Sequence, residues 1–263
     1  MLCSQCRARA ATTTEGHCAE CAAARWSAGP RLASPVGLCT ALVALFCAVI
    51  AADLFALLAG ARVHGLMTDV VDEDFDAFTD EDLDRADLLY AASGVLQLAT
   101  VVATAVVFLV WFHRVRKNAQ VFDPGAQRMA PGWAIGGWFV PFANLVLPRR
   151  VAGDIWAAST LRGPDGAPPR VSYALVNAWW TVWVCTLVLG RYASRMYDKA
   201  EEADEVREAA AALFAVDLLD IVAAVLALLF VRKLSRMQHA KATGASLPFP
   251  ADGAGSRQGG THR

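Results

Sequence analysis

Every one of the 24 Lys and Arg residues lies outside four apolar stretches. These run from Val36 to Ala59, from Leu88 to Phe112, from Ser172 to Gly190 and from Ala209 to Val231. About 20 apolar residues in a helix cross a hydrocarbon core of about 30 Å. A soluble protein would have to wrap four such helices on every side. With 56% hydrophobic and 19% charged residues, the chain lacks the polar material for that shell. The expected fold is an all-α integral membrane protein with four transmembrane helices. A cytoplasmic-side interfacial or re-entrant segment and a small N-terminal zinc knuckle complete it. The first stretch begins only at residue 36 and exceeds a signal peptide's apolar region of about 7–15 residues. It reads as a retained span, with a long signal as the alternative.

Charge sets the orientation. Alternate segments between the spans carry 18 and 6 basic residues. The positive-inside rule places the basic set in the cytoplasm, with both termini. The acidic loops at 60–87 and 191–208 then face out. The expected location is the cell membrane, multi-pass, as in a bacterial inner membrane. Arg114, Arg116 and Lys117 close the second span, and Arg232, Lys233 and Arg236 close the fourth. Such clusters snorkel to headgroups and meet anionic lipid. The formal net charge of -1 gives no reason to expect a nucleic-acid partner.

The N-terminus carries the strongest chemical signal. Cys3-x-x-Cys6 and Cys18-x-x-Cys21 are separated by eleven residues. Two such knuckles can converge four thiolates on one tetrahedral zinc ion. The pattern resembles the short zinc-ribbon modules of many bacterial proteins. Four thiolates close the shell, which points to structural zinc rather than catalysis, and His17 is not needed as a fifth ligand. Cytoplasmic thiols stay reduced; two disulfides would require an outward N-terminus, and a redox pair lacks a thioredoxin-like surround. Cys39, Cys47 and Cys185 lie in spans and read as small packers. The expected layout is a knuckle over 1–25, a linker over 26–35, a membrane domain over 36–240 and a disordered tail over 241–263.

The outer loop is acidic without a complete metal pattern. Asp72, Asp74, Asp76 and Asp80 match the first ligand positions of a calcium loop. Ala77 then stands where glycine is needed and Leu83 where a bidentate glutamate belongs. A solvated helix or loop is the expectation, with Phe75 and Phe78 near the outer interface.

Residues 131–159 are too short and too broken by Pro and Gly for a fifth span. Trp133 and Trp138 suit the headgroup level. A helix is predicted from Leu147 to Ser159, with Arg150 and Asp154 spaced to pair. Gly136 and Gly137 would let the third or fourth span approach closely. The segment resembles the signature of an uncharacterised family of four-pass bacterial membrane proteins, a domain of unknown function. The matching residues are Pro131, Gly132, Trp133, Trp138, Phe139, Pro141, Asn144, Pro148, Asp154, Ile155 and Trp156, with Trp111, Arg114 and Asn118 at the end of the second span. The resemblance covers about residues 80–240. It implies a fold and no established reaction.

Polar residues within spans are the remaining candidates: Asp53, Gln97, Asn177, Asp217 and Asp220. Intramembrane carboxylates usually face protein or a water-filled cavity. Asp217 and Asp220 share one helical face, with Arg62 or Arg191 as potential partners at the outer border. No nucleophile elbow, His-Glu-x-x-His or phosphate-binding glycine loop supports an enzyme. Two functions stay open. One is a membrane-anchored interaction or regulatory module whose zinc knuckle touches a cytoplasmic protein. The other is a small oligomeric transporter or channel using the span aspartates. Expected partners are membrane lipids, a cytoplasmic protein and, for transport, further copies of the chain.

Overall fold

The computed structural model describes residues 1–12, 16–21, 32–72, 80–161, 171–200 and 203–244. Four long helices dominate it: α1 (Val36–Asp72), α2 (Asp80–Phe122), α5 (Ala174–Tyr197) and α6 (Ala203–Thr243). Between α2 and α5 lie α3 (Trp133–Gly136), a 3-10 turn (Ala143–Leu145) and α4 (Leu147–Ser159). Each long helix contains a stretch long and apolar enough to cross a membrane. The protein is therefore all-helical with four spans and a broken central hairpin.

The helices run beyond the apolar stretches that mark them. At 1.5 Å per residue, the 43 residues of α2 make a rod of about 65 Å, roughly twice a hydrocarbon core. Hydropathy reports where lipid begins, whereas a helix stops only where its hydrogen bonds do. Nothing in His113–Phe122 or Arg232–Thr243 breaks them, since both runs lack Gly and Pro. The chain is thus still helical at residues 241–243, where the sequence suggests the start of a tail. The linker and tail otherwise fall mostly outside the described residues. The acidic pattern at 73–79 also lies outside them.

In α1 the helix begins just after Pro35, with Ser34 Oγ accepting the Val36 N–H at 3.4 Å. It packs between α2 and α6, and α5 packs on the other side of α6. Outward faces carry exposed Leu58, Val95, Leu98, Val106, Val188 and Leu229, the surface expected to meet acyl chains. The start of α1, the end of α2, the central hairpin and the end of α6 gather at one end of the bundle. Asn118 Nδ2 there donates both to Ala33 O at 2.8 Å and to Gln238 Oε1 at 3.0 Å.

The core sits toward that end and is aromatic. Phe230 lies between Trp179, stacked at 4.5 Å, and Trp156, stacked at 5.9 Å. Trp111 meets it edge-on at 5.8 Å. Trp138 contacts Phe108, Phe112, Trp180 and Trp183 in edge arrangements. Offset and edge-on pairs of this kind add about 0.5–1.5 kcal/mol each beyond burial. Through these contacts Trp138 plugs the hairpin into the bundle. Trp133 stays exposed.

The close approach at Gly137 also differs from expectation. A Cβ there would lie 2.8 Å from Trp133 O and 3.2 Å from Leu147 Cβ. The glycine accommodates the hairpin's own return into α4, not the third or fourth span. Gly136 has open space around it.

Candidate metal centre and intramembrane polar cluster

The N-terminal cysteines are brought together by short local turns. An isolated bridge joins Leu2 and Ala10, and Cys3 N–H donates to Arg9 O at 2.7 Å. Arg7 has a φ of 52°, so the chain reverses immediately after Cys6. Cys21 N–H points at Cys18 Sγ at 3.5 Å. The four Sγ atoms of Cys3, Cys6, Cys18 and Cys21 all lie within 4.8 Å of one another. Cys6 Sγ and Cys18 Sγ are 3.8 Å apart. A tetrahedral site with Zn–S bonds of about 2.3 Å requires S···S separations of about 3.8 Å, so the donors fit such an ion. Cys3 and Cys18 are buried. His17 Nδ1 lies 3.1 Å from Ser4 Oγ, beside the cluster rather than within it.

The thiols are electrostatically unequal. Backbone N–H groups of Cys6 and Cys18 hold Cys3 down to about 5. The Ala8 N–H likewise lowers Cys6. Hydrogen bonding to the Cys18 thiol, with burial, pushes Cys21 up to about 12. The cluster thus stores only part of the negative charge that four thiolates would carry, and a divalent cation would draw out the rest.

Inside the membrane domain the polar residues split into two groups. Gln97 Nε2 donates to Asp53 Oδ1 at 3.1 Å and to Asp217 Oδ1 at 3.2 Å, joining α2, α1 and α6. Asp53 is 3% exposed, and its Oδ2 has no hydrogen-bond partner among the described residues. Asp220 lies beside the Thr186 hydroxyl. An amide therefore takes the place anticipated for Arg62 or Arg191. Asn177 belongs elsewhere: its Oδ1 accepts from Arg149 Nη2 near the start of α5.

Residues of the family signature tie neighbouring segments together. Trp111 Nε1 donates to Ser235 Oγ at 3.0 Å. Arg114 Nη1 donates to Ser34 O at 3.1 Å. Pro148 sits in the first turn of α4, where a missing N–H costs nothing. Asp154 is bound by Arg128 through Nε at 3.1 Å and Nη2 at 2.8 Å. The expected partner, Arg150, is exposed instead. Asn144 is partly exposed, Pro141 is exposed, and Phe139 is 70% exposed. These three, with Pro131 and Gly132, shape the hairpin outside the aromatic core.

A family model for a domain of unknown function, DUF4328, matches residues 76–236, more than half of the chain. The chain belongs to the DUF4328 family. The match spans α2 to most of α6 and leaves the cysteine knuckle outside it. No curated protein and no solved structure matches the chain. Within the DUF4328 region, sequence reasoning missed Arg128, Phe230 and Ser235, and it assigned Arg116 to the headgroups although the fold buries it at 2% exposure. Just beyond it, Gln238 and Lys241 were also missed. Buried Arg116 donates to Gln120 Oε1 at 2.9 Å and to Met129 O. Lys241 Nζ caps α4 through Ala158 O at 2.7 Å and Thr160 O at 3.2 Å. For Arg116, Ser235, Gln238 and Lys241 the only sequence signal was polarity on helical runs past the membrane border, which resembles an ordinary solvated face.

Proposed function

We propose that this DUF4328 protein is a membrane-anchored interaction or regulatory module. Its N-terminal knuckle binds structural zinc and contacts a cytoplasmic protein. The convergence of four cysteine Sγ atoms within 4.8 Å supports this reading. Zinc bound by four thiolates has no position for water, so it would fold the knuckle and supply no catalytic step. The positive-inside bias places the knuckle and the basic end of the bundle in the cytoplasm. Metal analysis of the purified protein tests the reading. One zinc per chain is expected, with loss in a Cys18→Ser/Cys21→Ser variant. No zinc in the wild type, or unchanged zinc in the variant, overturns it. Crosslinking in native membranes tests partner contact: a protein captured by the wild type should be lost from the same variant.

The alternative is a small oligomeric transporter. The part-buried Asp53–Gln97–Asp217 connection, with Asp220 nearby, favours it. Intramembrane carboxylates of this kind can line ion or proton paths. Proton or cation flux in proteoliposomes should then fall in an Asp217→Asn/Asp220→Asn variant that keeps its fold and oligomer size. Absence of wild-type flux across ion and pH gradients, or undiminished flux in the variant, removes this alternative.

A further inference from the structure

We propose that the basic depression between α4 and the start of α5 binds a phosphate group, presented by an anionic phospholipid. The cavity has a volume of about 340 Å³ and is lined by Arg128, Arg149, Arg150, Gly153 and Tyr173. Three arginines thus line one space. Asp154 offsets only one of them, through its two hydrogen bonds from Arg128. Arg149 is held by Asn177 Oδ1, a neutral acceptor that positions the guanidinium without cancelling its charge. Arg150 has no ion-pair partner among the described residues. A concave surface with this excess positive charge suits a phosphate, whose oxygens match the planar guanidinium fork.

Gly153 keeps the floor open. A Cβ there would lie 3.3 Å from Arg149 Nη1 and 3.8 Å from the Tyr173 ring. Any larger side chain would displace the arginine or fill the cavity.

The surroundings select a lipid as the phosphate source. Immediately before Arg149 the hairpin exposes Phe139, Phe142, Leu145 and Val146. Phe142 is 87% exposed and holds a φ of 60°, a conformation that strains a bulky residue. The chain thus presents a large apolar ring outward at a strained turn, beside a basic cavity at the foot of a span. An acyl chain against the hairpin and a phosphate among the arginines satisfy both surfaces together. The site rests on the membrane-spanning reading and is independent of zinc or transport.

The test uses the full chain in nanodiscs of phosphatidylcholine with added phosphatidylglycerol. Lipids retained by the protein are counted by native mass spectrometry. The wild type should retain phosphatidylglycerol in preference to phosphatidylcholine. Retention should fall about tenfold in Arg150→Gln, the loss of one charge-assisted contact. Arg150 is exposed, so its variant should keep the wild-type melting temperature; Gly153→Leu should lower retention independently by filling the cavity. Unselective retention, or retention unchanged in both variants, overturns the proposal. A second arm adds inorganic phosphate to discs of phosphatidylcholine alone. If phosphate raises the wild-type melting temperature while phosphatidylglycerol retention is unselective, the site takes free phosphate and the lipid assignment is overturned. Failure of the chain to enter discs would overturn the membrane reading, and this site with it.

Discussion

Single residues in this protein act by what they leave unpaired when removed. Asn118 satisfies Ala33 through both its oxygen and its nitrogen, at 3.0 and 2.8 Å, and also reaches Gln238. Gln238 in turn donates to Val115 O at 2.9 Å and Ser159 Oγ at 3.1 Å. Asn118→Ala would leave several buried groups without partners, at about 1–3 kcal/mol for each one that water cannot reach. A clear drop in melting temperature in detergent is expected; an unchanged value would show that water replaces the amide. The cysteines obey a different rule. Cys21, held at about 12 by its thiol neighbours, must release its proton to bind a cation. Metal binding favours the deprotonated form, so zinc affinity should rise with pH through neutrality, by about tenfold per pH unit for each proton released. Titrations with a zinc indicator at several pH values would measure this slope. A flat profile would mean that binding releases no thiol proton, against ligation by the four cysteines.

At the scale of elements, the central hairpin behaves as a lock between spans rather than a fifth crossing. Trp138 enters one aromatic group, Trp156 enters the other against Phe230, and Lys241 closes the end of α4. Lys233 Nζ also lies 5.5 Å from the Trp156 ring centroid, a cation–π contact that ties α6 to α4. The hairpin can turn this tightly because Gly137 lacks a Cβ. Gly137→Val should therefore strain the return into α4, destabilising the protein by about 1–3 kcal/mol, as overpacking does. Hydrogen exchange across residues 133–159 should rise while exchange in α1 stays unchanged. Equal exchange everywhere would show that the hairpin absorbs the extra volume.

For the whole molecule, the entry to α1 and the exit from α6 meet at one end, joined by Asn118 between Ala33 and Gln238. An even number of crossings is the topology that brings them there. Engineered single cysteines at Asp76 and Ala203 should react with an impermeant maleimide from outside, and one at Ala167 should not. External labelling at 167 would reject a hairpin on the cytoplasmic side and favour a fifth crossing.

The sequence by itself determined the number of spans, the grouping of basic segments and the pairing of cysteine knuckles. Those properties are local or additive: transfer into lipid sums along a stretch, and a Cys-x-x-Cys turn is closed by its own backbone. Trp111, Asn118, Trp138 and Trp156 were singled out by the family resemblance, which gave them no partners. Tertiary structure alone decided that Asp154 takes Arg128 and not Arg150, that Gln97 joins two aspartates from different helices, and that Asn177 serves an arginine. Arg150 lies one turn from Asp154 along the helix, yet the chain folds Arg128 back onto the carboxylate. A hydrogen bond depends on which helix faces which and at what height, and neither quantity is a function of position along one strand of sequence.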